Sequence, residues 1–247
     1  MARRKTTLTV LRSERISPHL VRVVLGGAGF DDFAPSEFTD SYVKLLFQAD
    51  GAEITRTYTV RSVDPTAREI AIDFVVHGDD GIAGPWAERV QPGETISMFG
   101  PGGAYAPRTD ADWHLLAGDE SAIPAIAVAL AALPAGTKAK VFVEVGSVLD
   151  EIAFETAADI ELTWVHREDA PESLLGDTVR SAEWLPGVAQ VFIHGEARVV
   201  MSELRKYVRN ERGVAAEWAS ISGYWRRGHT EEGFRVWKSE QRELRAS

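Results

Sequence analysis

Over its first hundred residues the chain alternates apolar and polar side chains with a period of two, the spacing that turns one face of a strand inward and the other outward. The alternation runs over Thr6 to Arg15, His19 to Leu25, Ser41 to Phe47, Thr55 to Val63, Glu69 to Val76 and Thr95 to Phe99. Gly26-Gly27-Ala28-Gly29 breaks the second run, and one stretch of helical period lies around Ala83 to Val90. Six short strands at this spacing predict a small antiparallel barrel.

Near residue 107 the pattern changes. Trp113 to Ala117, Ala139 to Val145, Glu161 to Val165 and Val188 to His194 read as strands. Between them, Ile123 to Leu133 and Glu172 to Trp184 read as helices, and Val199, Val200, Glu203, Leu204 and Val208 carry a further stripe of helical spacing. Strands alternating with helices predict a parallel sheet covered on both faces. The expected architecture is therefore two-domain: a six-stranded antiparallel barrel over 1–107, then a Rossmann-like nucleotide-binding α/β domain over 108–247 with a helical C-terminal extension.

Composition narrows the chemistry. Of the 247 residues, 45% are apolar and 26% charged, as in globular domains. No apolar run approaches the ~20 residues that span a bilayer. The basic start leads into a strand instead of an apolar signal core, so a cytoplasmic protein is expected. There is no cysteine, which excludes disulfides, thiol nucleophiles and thiolate-held iron–sulfur clusters, so redox chemistry would need an organic cofactor. The formal net charge of −10 argues against nucleic acid and means that an anionic ligand must meet a local basic patch. The six histidines (His19, His77, His114, His166, His194 and His229) have no metal-ligand spacing.

The segment with most chemistry is Arg56-Thr57-Tyr58-Thr59-Val60-Arg61. In a strand Arg56 and Tyr58 share a face, with Thr59 beside them. A cation for a pyrophosphate, a flat ring for an isoalloxazine and a small hydroxyl for its edge are what a flavin nucleotide needs, although an ordinary exposed strand could carry the same residues. Downstream, His77-Gly78-Asp79-Asp80-Gly81-Ile82-Ala83-Gly84-Pro85 is a strand end, a glycine turn and a helix start, where free backbone N–H groups suit a diphosphate. A third turn, Gly118-Asp119-Glu120-Ser121-Ala122-Ile123-Pro124, lies at the carboxyl end of the predicted parallel sheet, where nucleotides sit. Asp119 and Glu120 would repel a pyrophosphate and suit helix capping. Gly195-Glu196 follows the last core strand at the same edge, and Arg167, at a strand end, could meet a 2′-phosphate and select NADPH over NADH.

These segments together resemble the ferredoxin–NADP⁺ reductase superfamily and, more narrowly, the siderophore-interacting proteins, the flavin-dependent ferric-siderophore reductases. The narrower likeness rests on Arg56 to Arg61, Asp73 to Gly78, Gly100-Pro101-Gly102-Gly103, Gly118 to Ala125, Gly195-Glu196-Ala197 and Ser222 to Gly228, in family order over nearly the whole chain. It implies FAD between the domains, held by Arg56, Tyr58 and Thr59, with Val75 and His77 on the adenine side, Ile82, Ala83 and Gly84 at the pyrophosphate, and Tyr224 and Trp225 close to the flavin. It also implies NADPH or NADH over Gly118, Asp119, Glu120 and Ser121, with Glu196 near the reacting ring. Where the family reads Gly-Pro-Ala-Ser, this chain has Gly81-Ile82-Ala83-Gly84, which removes a serine hydroxyl and leaves backbone contacts.

Electron counting agrees with this reading. A nicotinamide gives two electrons and ferric iron takes one, so a flavin is the natural converter where no cluster can form. The substrate implied is an anionic ferric siderophore, for which Lys44, Arg226, Arg227, His229, Arg235 and Lys238 are the basic candidates. A ferredoxin is the alternative donor, and a monomer is expected. The rival readings are a general flavin reductase, a ferredoxin-linked electron-transfer flavoprotein, and a flavoprotein that binds the siderophore without turnover.

Overall fold

The computed structural model describes residues 5–49, 51–77, 81–168, 171–229, 233, 234 and 237. The period-two runs form β1 (Lys5–Ser17), β2 (Leu20–Gly26), β3 (Tyr42–Ala49), β4 (Ala52–Asp64), β5 (Glu69–Val75) and β6 (Thr95–Gly102). They close into an antiparallel barrel in the order β1-β2-β5-β4-β3-β6. Closure removes the exposed strand edges that an open sheet of this size would carry. Val23, Leu25, Val43, Leu45, Ile72 and Phe74 are buried within it. Helix α1 (Ala83–Arg89) packs on this core through Ala83 and Ala87, and Trp86 lies edge-on to Phe47 at 5.5 Å.

The second half forms β7 (Trp113–Asp119), α2 (Ile123–Ala131), β8 (Lys138–Val145), β9 (Asp159–His166), α3 (Leu174–Ser181), β10 (Ala189–Glu196) and β11 (Ala219–Trp225). The sheet order is β11-β10-β7-β8-β9, and every pair is parallel. The stripe from Val199 to Val208 is π-helical over Arg198–Leu204 and Tyr207–Glu211. Strand β11 goes beyond the elements read from the sequence. Its Ser220, Ser222 and Gly223 make it too polar for a buried strand, and it forms only as an edge, where the Ser220 hydroxyl meets His194 Nε2 at 2.9 Å. Helix α3 is shorter than the predicted Glu172 to Trp184, because Trp184 turns to pack edge-on against Trp113 at 4.9 Å.

Helix α2 is apolar almost all round, as a helix buried on two sides must be. It lies between the sheet and β4 of the barrel. Leu20 of β2 and Tyr105 share one apolar cluster with Ile123, Ile126 and Phe192, so both halves of the chain contribute to it.

Asp150 adds a polar tie between the halves. Its carboxylate, only 2% exposed, accepts from the Ser17 hydroxyl at 3.2 Å and from the His19 backbone N–H at 3.2 Å, and it lies 2.9 Å from His19 Nδ1. It also caps its own turn by accepting from the Ser147 N–H at 3.2 Å. Burial pushes this carboxyl upward, but the bonds from His19, Ser147 and Ser17 outweigh that, and it stands below its ordinary value. A carboxyl depressed in the folded state stabilises fully above the unfolded value, about 3.9, and that stabilisation is lost as the pH falls through the folded pKa. Urea unfolding followed from pH 7 to pH 2 should therefore show an acid limb below about pH 4. Asp150→Ala should flatten that limb and cost about 3 kcal/mol at pH 7, because it leaves buried donors without an acceptor.

Candidate functional site

The candidate site is built where β4 passes from one ladder to the next. β4 pairs with β3 from Ala52 to Thr59 and with β5 from Val60 to Asp64. Beyond Ile72 strand β5 continues against β2 through Phe74 and Val75. The β4–β5 ladder thus ends at Val60, and Arg56 to Thr59 lie beyond that end, paired with β3. The start of α1 faces this seam from β5. Gly84 makes a close approach there, since a Cβ would lie 3.1 Å from the Val75 carbonyl oxygen.

Across the seam, Tyr58 leans onto Phe74 with ring centroids 4.4 Å apart, and Phe74 in turn meets Trp86 at 5.4 Å. Arg56 is half-buried and its Nη1 donates to the Thr55 carbonyl at 3.2 Å. Thr59 is buried and hydrogen-bonded to the Tyr224 phenol, whose pKa burial pushes upward. Tyr224 also lies edge-on to His194 at 4.8 Å. Of the residues named for FAD, Arg56, Tyr58, Thr59, Val75, Ile82, Ala83, Gly84 and Tyr224 are thus gathered on the elements lining this seam. His77 is exposed at the end of β5, while Gly78, Asp79 and Asp80 lie outside the described residues. The donor set fits an FAD: an aromatic ring, a half-buried guanidinium and a short helix with Gly84 in its first turn.

The carboxyl edge of the parallel sheet adjoins this region at the switch point between β7 and β10. There the close approach of the strands leaves no room for a side chain at Gly118, whose Cβ would lie 2.4 Å from the His194 carbonyl oxygen. Asp119 is buried beside it. Its Oδ1 accepts from the Ser121 N–H at 2.9 Å and the Ser121 hydroxyl at 2.5 Å, and its Oδ2 from the Glu196 N–H at 2.7 Å and the Trp225 indole N–H at 2.8 Å. Burial pushes this carboxyl upward against the pull of those four bonds. The role read from the sequence, a helix-capping carboxylate, is the one Asp119 fills; its tie to Trp225 depends on β11 and has no sequence signal. Trp225 points to Asp119 on this side of the sheet while its neighbour Tyr224 points to Thr59.

The remaining charged candidates are largely engaged. Arg167 donates through Nε to Glu144 at 2.8 Å and through Nη2 to Glu120. Burial pulls the Arg167 pKa down, but the two carboxylates outweigh it and hold it above its ordinary value. Glu196 Oε2 accepts from the Arg198 N–H at 2.7 Å and the Val199 N–H at 3.1 Å, so it caps the π-helical stretch. Arg227 lies 3.2 Å from Glu172 and Arg226 stacks over Trp237 at 4.5 Å. Lys44 pairs across the ladder with Thr57, whereas Tyr58 pairs with Val43, so Lys44 stands on the face opposite Arg56 and Tyr58. His229 is exposed; Arg235 and Lys238 lie outside the described residues.

Comparison with known proteins agrees with this geometry. Residues 111–228 match the model of the siderophore-interacting proteins, and residues 9–55 and 52–105 match that of the siderophore-interacting FAD-binding domain. The chain is similar to an uncharacterised protein of Mycobacterium tuberculosis, with 52% identity covering 96% of this chain and 95% of that one. It is 32% identical to a ferric vibriobactin reductase of Vibrio cholerae, over 92% of this chain and 91% of that one. It is also 31% identical to an NADPH-dependent ferric-chelate reductase of Escherichia coli, over 81% and 85%. Among solved structures, a siderophore utilization protein from T. fusca superimposes with a TM-score of 0.83 at 33% identity, covering 92% of this chain and 94% of that one.

The tight crossing at Gly118 makes a direct test of the site's packing. Gly118→Ala would force a Cβ against the backbone of β10 and against Ala122, and should cost about 3 kcal/mol in urea unfolding, as overpacking of a rigid contact does.

Proposed function

This chain belongs to the siderophore-interacting protein family, and we propose that it is an FAD-dependent reductase that releases iron from ferric siderophores with electrons from NADPH or NADH. The observation that carries this reading is the tie between the Arg56 to Thr59 segment of β4 and the α/β sheet, with Thr59 hydrogen-bonded to Tyr224 of β11 and so brought beside the switch point. FAD, when bound, supplies the conversion between a two-electron hydride donor and a one-electron ferric acceptor. The overall balance is one NAD(P)H and two ferric complexes giving NAD(P)⁺, a proton and two ferrous ions.

The chain's own residues do the placing. Arg56 neutralises pyrophosphate charge, the start of α1 offers backbone N–H groups to the same diphosphate, and Tyr58 supplies a ring already steadied by Phe74. Tyr224 closes the other side through Thr59, joining β4 to β11. Gly118, Asp119, Glu120 and Ser121 form the edge for the nicotinamide nucleotide, with Glu196 beside them. On the acceptor side Arg226 and Arg227, together with Lys238, offer cations to an anionic complex in a chain that is acidic overall, whereas Lys44 stands on the far face of its strand. The protein need not ligate iron, because the ferric complex arrives with its chelator and reduction itself weakens the hold. Work as a cytoplasmic monomer completes the proposal; no helix among the described residues is long and apolar enough to cross a membrane.

Two measurements test the proposal. Arg56→Ala should weaken FAD binding by about 1.5–3 kcal/mol, the worth of a charge-assisted hydrogen bond, read by titrating apoprotein with FAD; a variant that purifies fully loaded would remove Arg56 from the site. In anaerobic stopped-flow, a nicotinamide nucleotide should bleach the flavin and a ferric siderophore should restore its colour. Changing Arg226 and Arg227 together should raise KM for an anionic siderophore and leave a neutral dye unaffected. Equal reduction of dyes and chelates in both proteins would favour a general flavin reductase, and binding without faster reduction would favour a carrier.

A further inference from the structure

Building on the reading of a nicotinamide donor, we infer that the Glu120–Arg167–Glu144 triad makes this chain select NADH against NADPH. In a doubly wound sheet the adenosine ribose lies at the carboxyl end of the strand that follows the first β-α unit. There an acidic side chain accepts from the ribose hydroxyls in NAD sites, and an arginine meets the extra phosphate in NADP sites. In this chain that strand is β8, and its acidic residue is Glu144. Arg167 stands beside it, its backbone N–H bonded to the Val145 carbonyl at 2.9 Å.

The sequence alone makes Arg167 a reader of the 2′-phosphate. The structure instead puts its guanidinium between two carboxylates that are 11% and 12% exposed, Glu120 and Glu144. One cation among two anions leaves the triad with a net negative charge. The neighbouring cleft adds Asp119, Glu172 and Glu196 against Arg227. The other arginines at this edge are likewise matched: Arg227 lies 3.2 Å from Glu172, and Arg198 3.7 Å from Glu172 and 3.6 Å from Glu203.

A 2′-phosphate could claim Arg167 only by displacing one of these carboxylates, leaving it shielded from water without its partner while two like charges are brought together. A ribose 2′-hydroxyl has no such conflict, since it donates to Glu144 with the triad intact. Discrimination therefore comes from a repulsive element already built into the edge.

The test uses FAD-loaded protein. Anaerobic stopped-flow should give a ratio of bleaching rate to apparent dissociation constant at least about tenfold higher for NADH than for NADPH, the scale of one unfavourable charge contact. Titration with ADP and with 2′,5′-ADP, which reads binding apart from turnover, should show ADP as the tighter ligand. Glu144→Gln should tighten 2′,5′-ADP while weakening ADP, a crossing that general damage to the fold does not produce. NADPH preferred by the unmodified protein would overturn the inference without needing any variant, and so would an unchanged ratio in a folded Glu144→Gln protein. Bleaching by dithionite but by neither nucleotide, with no binding of either probe, would overturn the nicotinamide reading and this inference together.

Discussion

Asp119 is a carboxylate buried at the switch point of a parallel sheet, and much of the surrounding architecture follows from satisfying it. A buried charge is tolerable only when its lone pairs are met, and here four donors from Ser121, Glu196 and Trp225 meet them. Those donors come from the turn after β7, the end of β10 and the edge strand β11. Their demands shape the backbone around them. Gly195, at φ 143°, could carry no side chain without pressing it to 2.6 Å from Asp119 Oδ2. Glu196 is turned so that its own carboxylate caps the π-helical stretch, and Trp225 is fixed beside Arg227. The carboxyl edge is thus organised in advance of any ligand.

The barrel contributes the complementary half through β4, which changes partner from β3 to β5 at Val60, so that Arg56 to Thr59 lie just beyond the end of the β5 ladder. This segment stays in register with the sheet because the two halves of the chain are tied at several points: α2 wedged against β4, Tyr224 on Thr59, and Asp150 on Ser17 and His19. The first tie is apolar and the other two are polar, so the orientation of the halves is specified as well as stabilised.

Charge is the second theme of the molecule. A chain of net charge −10 that binds the phosphates of FAD has to place its cations selectively. Along the carboxyl edge of the sheet its arginines are matched to glutamates, while Arg226 stacks on Trp237 and Arg56 lies at the barrel seam. On the proposed reading, anion recognition is weighted toward the flavin side, and the nucleotide edge selects by repulsion.

Much of this was legible in the sequence because periodicity reports which faces are buried. The six alternating runs gave the barrel, the compact apolar runs gave the core strands of the sheet, and Arg56 to Thr59 marked the segment of β4 that the proposed FAD site uses. Residues whose roles depend on distant partners were not legible. Ala219 to Trp225 is too polar to announce a strand and becomes one only against β10. Arg167 reads as a phosphate ligand until Glu120 and Glu144, 47 and 23 residues away in the chain, are seen on either side of it. The local pattern of side chains fixes element type, since burial of one face is a property of consecutive residues. Which charges cancel, and where a strand passes from one partner to the next, are decided only when separate elements meet, because both depend on distances that no single segment contains.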